Sequence, residues 1–265
     1  MMNRLLVLLL ALFLSNSAYS VDWITHRGNS CGEPENTLRA VADSWRLGAD
    51  AVEIDVRFST DGVAYLFHDN RYRDKNLIEL SYQQIKALIG ETHVPRLSSV
   101  LMIGGSGYYI LDLKQPKINN IPVLKEVLEE SGLAREQVYI QSRDIHFLKA
   151  ADEAIENASL AYLTSLRRSR LTQLAPSPES ILAEVSHADI HALTIKGRSF
   201  LNTDYITTLR STGLRVFVWT INKSERTTFY ENAGVDGIIT DAIATIAKLD
   251  DICELLSRKE IFDHF

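Results

Sequence analysis

Two short acidic stretches and two histidines hold the side chains best suited to chemistry. Over Ala51–Arg57 the residues alternate, aliphatic Val52, Ile54 and Val56 against polar Glu53, Asp55 and Arg57. Successive side chains of a strand point to opposite faces, so Glu53 and Asp55 share one face with Cβ atoms about 7 Å apart. Tyr108–Lys114 repeats the pattern: Tyr109, Leu111 and Leu113 form the aliphatic face, and Asp112 and Lys114 lie on the other. Buried carboxylates are costly unless positive charge satisfies them. A divalent cation would do so, and so would an internal ion pair with Arg57; the strand alone leaves both open. Three carboxylates suit Mg²⁺ or Ca²⁺ better than zinc, which prefers nitrogen and sulfur ligands. Arg27 and Lys114 add positive charge at the same strand ends, and carboxylates with a cation beside basic side chains describe a phosphate site.

His26 ends the first strand, and His68 follows the hairpin after the second. Histidine titrates near neutral pH and serves as general acid or base. A lone histidine is usually a hydrogen-bonded core or surface residue, but a pair flanking a carboxylate cluster points to catalysis. His93, His146, His187, His191 and His264 lie in loops, helices or mid-strand and receive no role.

An alternation of strand and helix must position these groups. Apolar, β-branched runs at Trp23–His26, Ala51–Phe58, Tyr108–Lys114, Val138–Ser142, Leu160–Leu163, Ile190–Ile195, Arg215–Asn222 and Gly237–Thr240 are separated by segments of helical period. Eight such units match an α/β fold of the TIM (β/α)8 barrel type. Val63–Phe67 and helices near Tyr82–Ile89 and Leu97–Met102 make a small insertion after the second strand. The rival, a doubly wound open sheet, calls for a glycine-rich first turn that is missing here. Helices cover the outside of a barrel, so the aliphatic faces look outward. Glu53, Asp55 and Asp112 then face inward, near the C-terminal rim where barrel active sites form.

The barrel does not need the first twenty residues. Arg4, the apolar run Leu5–Leu14 and the small-residue site Ala18-Tyr19-Ser20 read as a secretory signal peptide over 1–20, cleaved after Ser20. One barrel domain then spans 21–265. The apolar run is short for a relaxed membrane span, so no stable membrane insertion is expected after cleavage, and the expected compartment is the periplasm or the extracellular space. The chain has 265 residues, with 28 Lys+Arg against 34 Asp+Glu for a net charge of -6. Without Arg4 the balance is 27 − 34 = -7. That excess of acid gives no electrostatic case for nucleic-acid binding. A hydrophobic share of 46% argues against a disordered chain. Two cysteines are too few for a disulfide scaffold. Cys31 lies in the loop at the presumed active face and Cys253 well into the last helix, toward the opposite end, so two free thiols are predicted.

These residues fall into a series that resembles the glycerophosphodiester phosphodiesterase family. His26-Arg27-Gly28 followed by Pro34-Glu35-Asn36-Thr37 is similar to the family's opening motif. Gly48-Ala49-Asp50, Glu53-Ile54-Asp55-Val56, Asp61-Gly62, Phe67-His68-Asp69, Leu111-Asp112-Leu113-Lys114, Trp219-Thr220 with Asn222, and Gly234–Asp241 follow in the family's order. The resemblance implies a TIM barrel and metal-dependent hydrolysis of a glycerophosphodiester, a small molecule, to sn-glycerol 3-phosphate and an alcohol. It makes Glu53 and Asp55 metal ligands, His26 and His68 the acid/base pair, and Arg27 and Lys114 the phosphate holders. Trp219 would line the substrate pocket, with a barrel-core aromatic as the alternative. Glu35 and Asn36 would orient the site, or Glu35 would only favour the helix start. Asp236 and Asp241 read as turn and helix-cap residues.

Two positions depart from the family. Asp112 stands where a glutamate is usual, which bears on the choice of Ca²⁺ or Mg²⁺ but not on the reaction class. Arg143 stands where an aromatic is commoner; such a cation could bind an anionic headgroup or simply be solvated, and it is read as solvated. A related branch of secreted phospholipases of the D type, acting on lysophospholipids, also uses aspartate at the third position. It is the alternative reading, and a larger apolar mouth would mark it.

Overall fold

The computed structural model describes residues 20–29, 31–168, 174–198, 201–246 and 253. The signal segment predicted over 1–20 lies almost wholly outside the described residues. Among the described residues no helix is long and apolar enough to cross a membrane.

Eight parallel strands form the barrel: Asp22–Thr25, Ala51–Phe58, Tyr108–Leu113, Val138–Ser142, Ser159–Thr164, Ile190–Lys196, Arg215–Trp219 and Gly237–Thr240. They are called the first to eighth strands below. Each pairs with its neighbours in chain order, and the first pairs with both the second and the eighth, which closes the ring. Helices return the chain between them, including Leu38–Arg46, Ile121–Ser131, Ile145–Ala154, Pro178–Val185, Thr203–Arg210 and Ser224–Asn232.

The helix starts follow local chemistry. The Thr37 hydroxyl accepts from Ala40 N, and Asp144 accepts from His146 N and Phe147 N. Such caps satisfy backbone donors that a first helical turn leaves open. The Ile121–Ser131 helix stops at Gly132, whose φ of 67° suits a residue without a Cβ.

Two apolar layers follow from strand parity. Val52, Ile54, Val56, Tyr109, Leu111 and Leu113 pack outward in the large cluster shared with the helices. Ile24, Ala51, Ile110, Tyr139, Ala161, Ala192, Phe217 and Ile239 fill the inside. At the N-terminal end Arg215 reaches Asp22 and the Tyr139 hydroxyl, closing the floor. The inward positions above this plug are the ones left for chemistry.

The insertion after the second strand contains the antiparallel strand Ala64–Leu66, the helix Tyr82–Ile89 and the short helix Leu97–Leu101. It has a small core of its own: Tyr65, Leu77, Tyr82, Ile85 and Val94.

One prediction is overturned. Cys31 and Cys253 are not free thiols but a disulfide, with Cα atoms 5.2 Å apart. The prediction assumed that the loop after Gly28 stays at the barrel mouth. Instead Cys31 packs with Cys253 in a small cluster around Leu47, Ala49, Ile243 and Ala244. Leu47 and Ala49 lead into the N-terminal end of the second strand, so the loop has descended the outer wall to the level of Cys253.

Candidate active site

The second strand delivers its acids inward, as parity requires. Glu53, Asp55 and Asp112 are all buried, and one carboxylate oxygen from each lies within 4.8 Å of the others. Parallel register makes Asp55 and Asp112 direct neighbours on adjacent strands. Arg57, the candidate internal partner, does not pair with this cluster. Its Nε and Nη2 donate to the carbonyls of Phe67 and His68, at 3.2 and 2.6 Å. It therefore anchors the insertion, and through it the segment that carries His68.

The cations at the cluster are Lys114 and Arg27. Lys114 Nζ lies 2.7 Å from Asp55 Oδ1 and also donates to Asp112 Oδ2. Arg27 Nε lies 3.2 Å from Asp55 Oδ2, while its Nη1 donates to Glu35 Oε1 at 2.8 Å. The Arg27 backbone N–H donates to Glu53 Oε2 at 2.8 Å. That donor is aimed by an unusual backbone: Arg27 has φ 57°, a left-handed conformation costly for a side-chain-bearing residue. Asn36, also left-handed at φ 58°, is buried beneath it. Its side chain donates to Asp55 Oδ2 and accepts from Asp55 N, both at 2.9 Å, and its own N–H holds the Arg27 carbonyl at 2.8 Å. Asn36 thus ties the first loop to the second strand, and Glu35 stands at the rim as the partner of Arg27.

Electrostatics divides the acids. Burial would raise Asp55, but Lys114 and Arg27, with the Asn36 hydrogen bond, hold it below its usual value. Burial and the charge of Asp55 push Glu53 up to about 8, against the opposing pull of His26. The desolvation of Lys114 is outweighed by Asp112 and Asp55, which lift it to about 12. The cluster therefore carries more carboxylate than the chain's own cations neutralise. A set of three converging oxygen donors with that surplus fits a divalent cation.

The two histidines stand on the same cavity of about 200 Å³ as Glu53, Asp112 and Lys114. His26 Nδ1 lies 2.7 Å from Asp241 Oδ1, and His68 Nδ1 lies 2.8 Å from Asp69 Oδ1. In both rings Nδ1 is engaged by an aspartate, which leaves Nε2 for exchange with a substrate. Asp241 is itself held by Asn222, whose Nδ2 donates to Oδ2 at 2.8 Å and whose Oδ1 accepts from Asp241 N at 2.9 Å. Burial opposes the charged form of His26, but the Asp241 hydrogen bond and the field of Glu53 outweigh it, so its pKa is raised. Asp241 is lowered, because His26 and Asn222 outweigh its desolvation.

All nine candidate site residues fall in this region. His26, Arg27, Glu53, His68, Asp112, Lys114 and Trp219 line the cavity, with Asp55 in the same carboxylate cluster and Glu35 on Arg27. The sequence reading missed Asp241 as the partner of His26. Arg143 is exposed, as expected, and it also borders the cavity.

A family model described as the glycerophosphoryl diester phosphodiesterase family matches residues 26–245. The chain belongs to that family. Among curated relatives, a glycerophosphodiester phosphodiesterase of Caldanaerobacter subterraneus subsp. tengcongensis is 26% identical over 247 residues, spanning 85% of this chain and 96% of the relative. Glycerophosphodiester phosphodiesterase 1 of Mus musculus is 24% identical, with 84% and 78% covered. Among solved structures, a glycerophosphodiester phosphodiesterase of Parabacteroides distasonis superposes with a TM-score of 0.72 at 20% identity, covering 90% of this chain and 98% of that one. A phosphodiesterase of Oleispira antarctica, solved with its product sn-glycerol-3-phosphate, gives 0.71 at 23% identity, covering 87% and 96%. The barrel is thus the TIM barrel of these enzymes.

Proposed function

We propose that the chain hydrolyses glycerophosphodiesters to sn-glycerol 3-phosphate and an alcohol, with a divalent cation at Glu53, Asp55 and Asp112 and with His26 and His68 as the acid/base pair. The observation that carries this reading is the pair of Asp–His couples, His26 with Asp241 and His68 with Asp69, set on one cavity with the three carboxylates. The family membership and the product named for the Oleispira antarctica relative support the substrate class.

Such a cation, when bound, polarises a phosphoryl oxygen and orients the glycerol hydroxyl beside it. The chain's own residues do the rest. Lys114 and the backbone N–H of Arg27 fix the carboxylates, and the Lys114 ammonium and Arg27 guanidinium face the phosphate. One histidine Nε2 takes a proton from the nucleophile, and the other gives one to the departing alcohol oxygen. Each aspartate keeps its ring in one tautomer and orientation. The apolar residues around the cavity are Leu163, Trp219 and Ile239. That lining supports a small polar diester over the lysophospholipid of the alternative reading. Export through the segment before Val21 belongs to the same proposal, and the Cys31–Cys253 disulfide supports it, since such bonds persist in oxidising compartments.

The test is product identity. Purified enzyme with glycerophosphoethanolamine and Ca²⁺ or Mg²⁺ is expected to release sn-glycerol 3-phosphate, and excess chelator to stop it. Full turnover in chelator, or release of phosphoethanolamine with free glycerol, contradicts the proposal.

A further inference from the structure

The cavity has two unlike halves. The eighth, first, second and third strands supply His26, Arg27, Glu53, Asp112 and Lys114, with Asp241 behind His26. The fourth to seventh strands continue their inward rows with Gln141 and Arg143, Leu163, Thr194 and Lys196, and Trp219. No carboxylate stands in those rows. Arg143 Cζ lies 5.6 Å and Lys196 Nζ 5.2 Å from the centre of the Trp219 ring. Among the described residues neither cation has an ion-pair partner. Asp144, next to Arg143, is committed to its helix cap. Gln141 Oε1 and Thr194 Oγ1 are buried, as is Trp219 Nε1, and none of the three has a hydrogen-bond partner among the described residues. Buried polar atoms left open in this way are satisfied by a polar ligand or water. An adjoining cavity of about 430 Å³, running past His68 and Ser142, is also bordered by Arg143. Whichever of the two spaces holds the group beyond the phosphorus, Arg143 faces it.

We propose that Arg143, assisted by Lys196, selects diesters whose alcohol carries an acidic group of its own, a carboxylate or a phosphate monoester. The inference rests on the reading above, which sets the glycerol beside the cation at the carboxylates and so leaves the opposite half of the cavity for the alcohol. A bare tryptophan would welcome a quaternary ammonium by cation–π attraction. Here two cations already sit by that ring, so a choline head meets like charge, while an anionic head gains charge-assisted hydrogen bonds from a planar guanidinium.

The experiment compares kcat/KM for glycerophosphocholine, glycerophosphoethanolamine, glycerophosphoserine and glycerophosphoinositol 4-phosphate in saturating Ca²⁺. The inositol 4-phosphate diester is expected to exceed the choline diester by about tenfold or more, the scale of one charged hydrogen bond. Arg143→Gln is expected to erase that ratio, Arg143→Lys to keep most of it, and Lys196→Gln to reduce it partly. Equal or choline-favouring rates, or an unchanged ratio in Arg143→Gln, overturn the proposal. Should none of the four be hydrolysed, the hydrolytic reading fails by itself. Calorimetric Kd values for the same four diesters with Ca²⁺ then decide the selectivity: tighter binding of the inositol 4-phosphate diester supports it, and equal values overturn it.

Discussion

His26 Nδ1 and Asp241 Oδ1 meet at 2.7 Å although 215 positions separate them, because the eighth barrel strand lies beside the first. Barrel closure thus builds the His26 couple, and Asn222 holds its aspartate in place. Asp241→Asn is expected to lower kcat by about tenfold to hundredfold, the usual scale for a residue that orients a functional side chain. The same variant should lower the His26 pKa, since the hydrogen bond to Asp241 is the largest influence raising it. Following the His26 ring resonances by NMR across pH checks this; an unchanged pKa contradicts it.

The couple also sets a pH window for stability. His26 is raised above its ordinary 6.5, so its contribution is fully present below pH 6.5 and fades as pH rises through the folded value. Asp241 is lowered from 3.8, so its contribution is present above pH 3.8 and fades as pH falls through the folded value. The Tm difference between the wild type and Asp241→Asn, measured in chelator, is expected to be largest between these two limits. A difference that is flat with pH contradicts the assignment.

The Cys31–Cys253 bridge closes a loop across 222 positions. Its loss, by reduction or by Cys31→Ser, is expected to cost about 2–5 kcal/mol of stability. Denaturant melts of oxidised and reduced protein check this. An intact mass that does not rise by two hydrogens on reduction contradicts the bridge.

Asp112 offers a test of the cation site that does not depend on turnover. Asp112→Asn keeps the shape but removes one charge and one of the two carboxylate partners of Lys114. Calorimetric titration with Ca²⁺ and Mg²⁺ is expected to show affinity lower by about tenfold or more, since even the groups that hold a metal ligand in place are worth about tenfold to hundredfold, while Asp112→Glu retains binding. Unchanged affinity in Asp112→Asn removes it from the ligand set.

Much of this was legible in the sequence because a strand has a period of two. Glu53, Asp55 and Asp112 could be placed inward from their aliphatic neighbours alone, and the strand count gave the closed barrel. The partners across the ring were harder to read. Asp241 sits after a run of β-branched residues, where an aspartate reads as a cap. Only the adjacency of the first and eighth strands makes it the partner of His26, and that signal was available once closure was assumed. Arg143 follows Gln141 with inward parity, which puts it at the cavity's edge while leaving it as exposed as its charge suggests. The disulfide depended on the path of an irregular loop, which no periodicity encodes.

The most direct measurement is the rate of sn-glycerol 3-phosphate release by His26→Ala and by His68→Ala, each saturated with Ca²⁺ or Mg²⁺ and each shown to bind the cation. Both variants are expected to lose about 10²–10⁴-fold in kcat, the usual worth of a positioned acid or base. Wild-type turnover by either one would contradict the central claim that this pair of histidines carries the proton transfers.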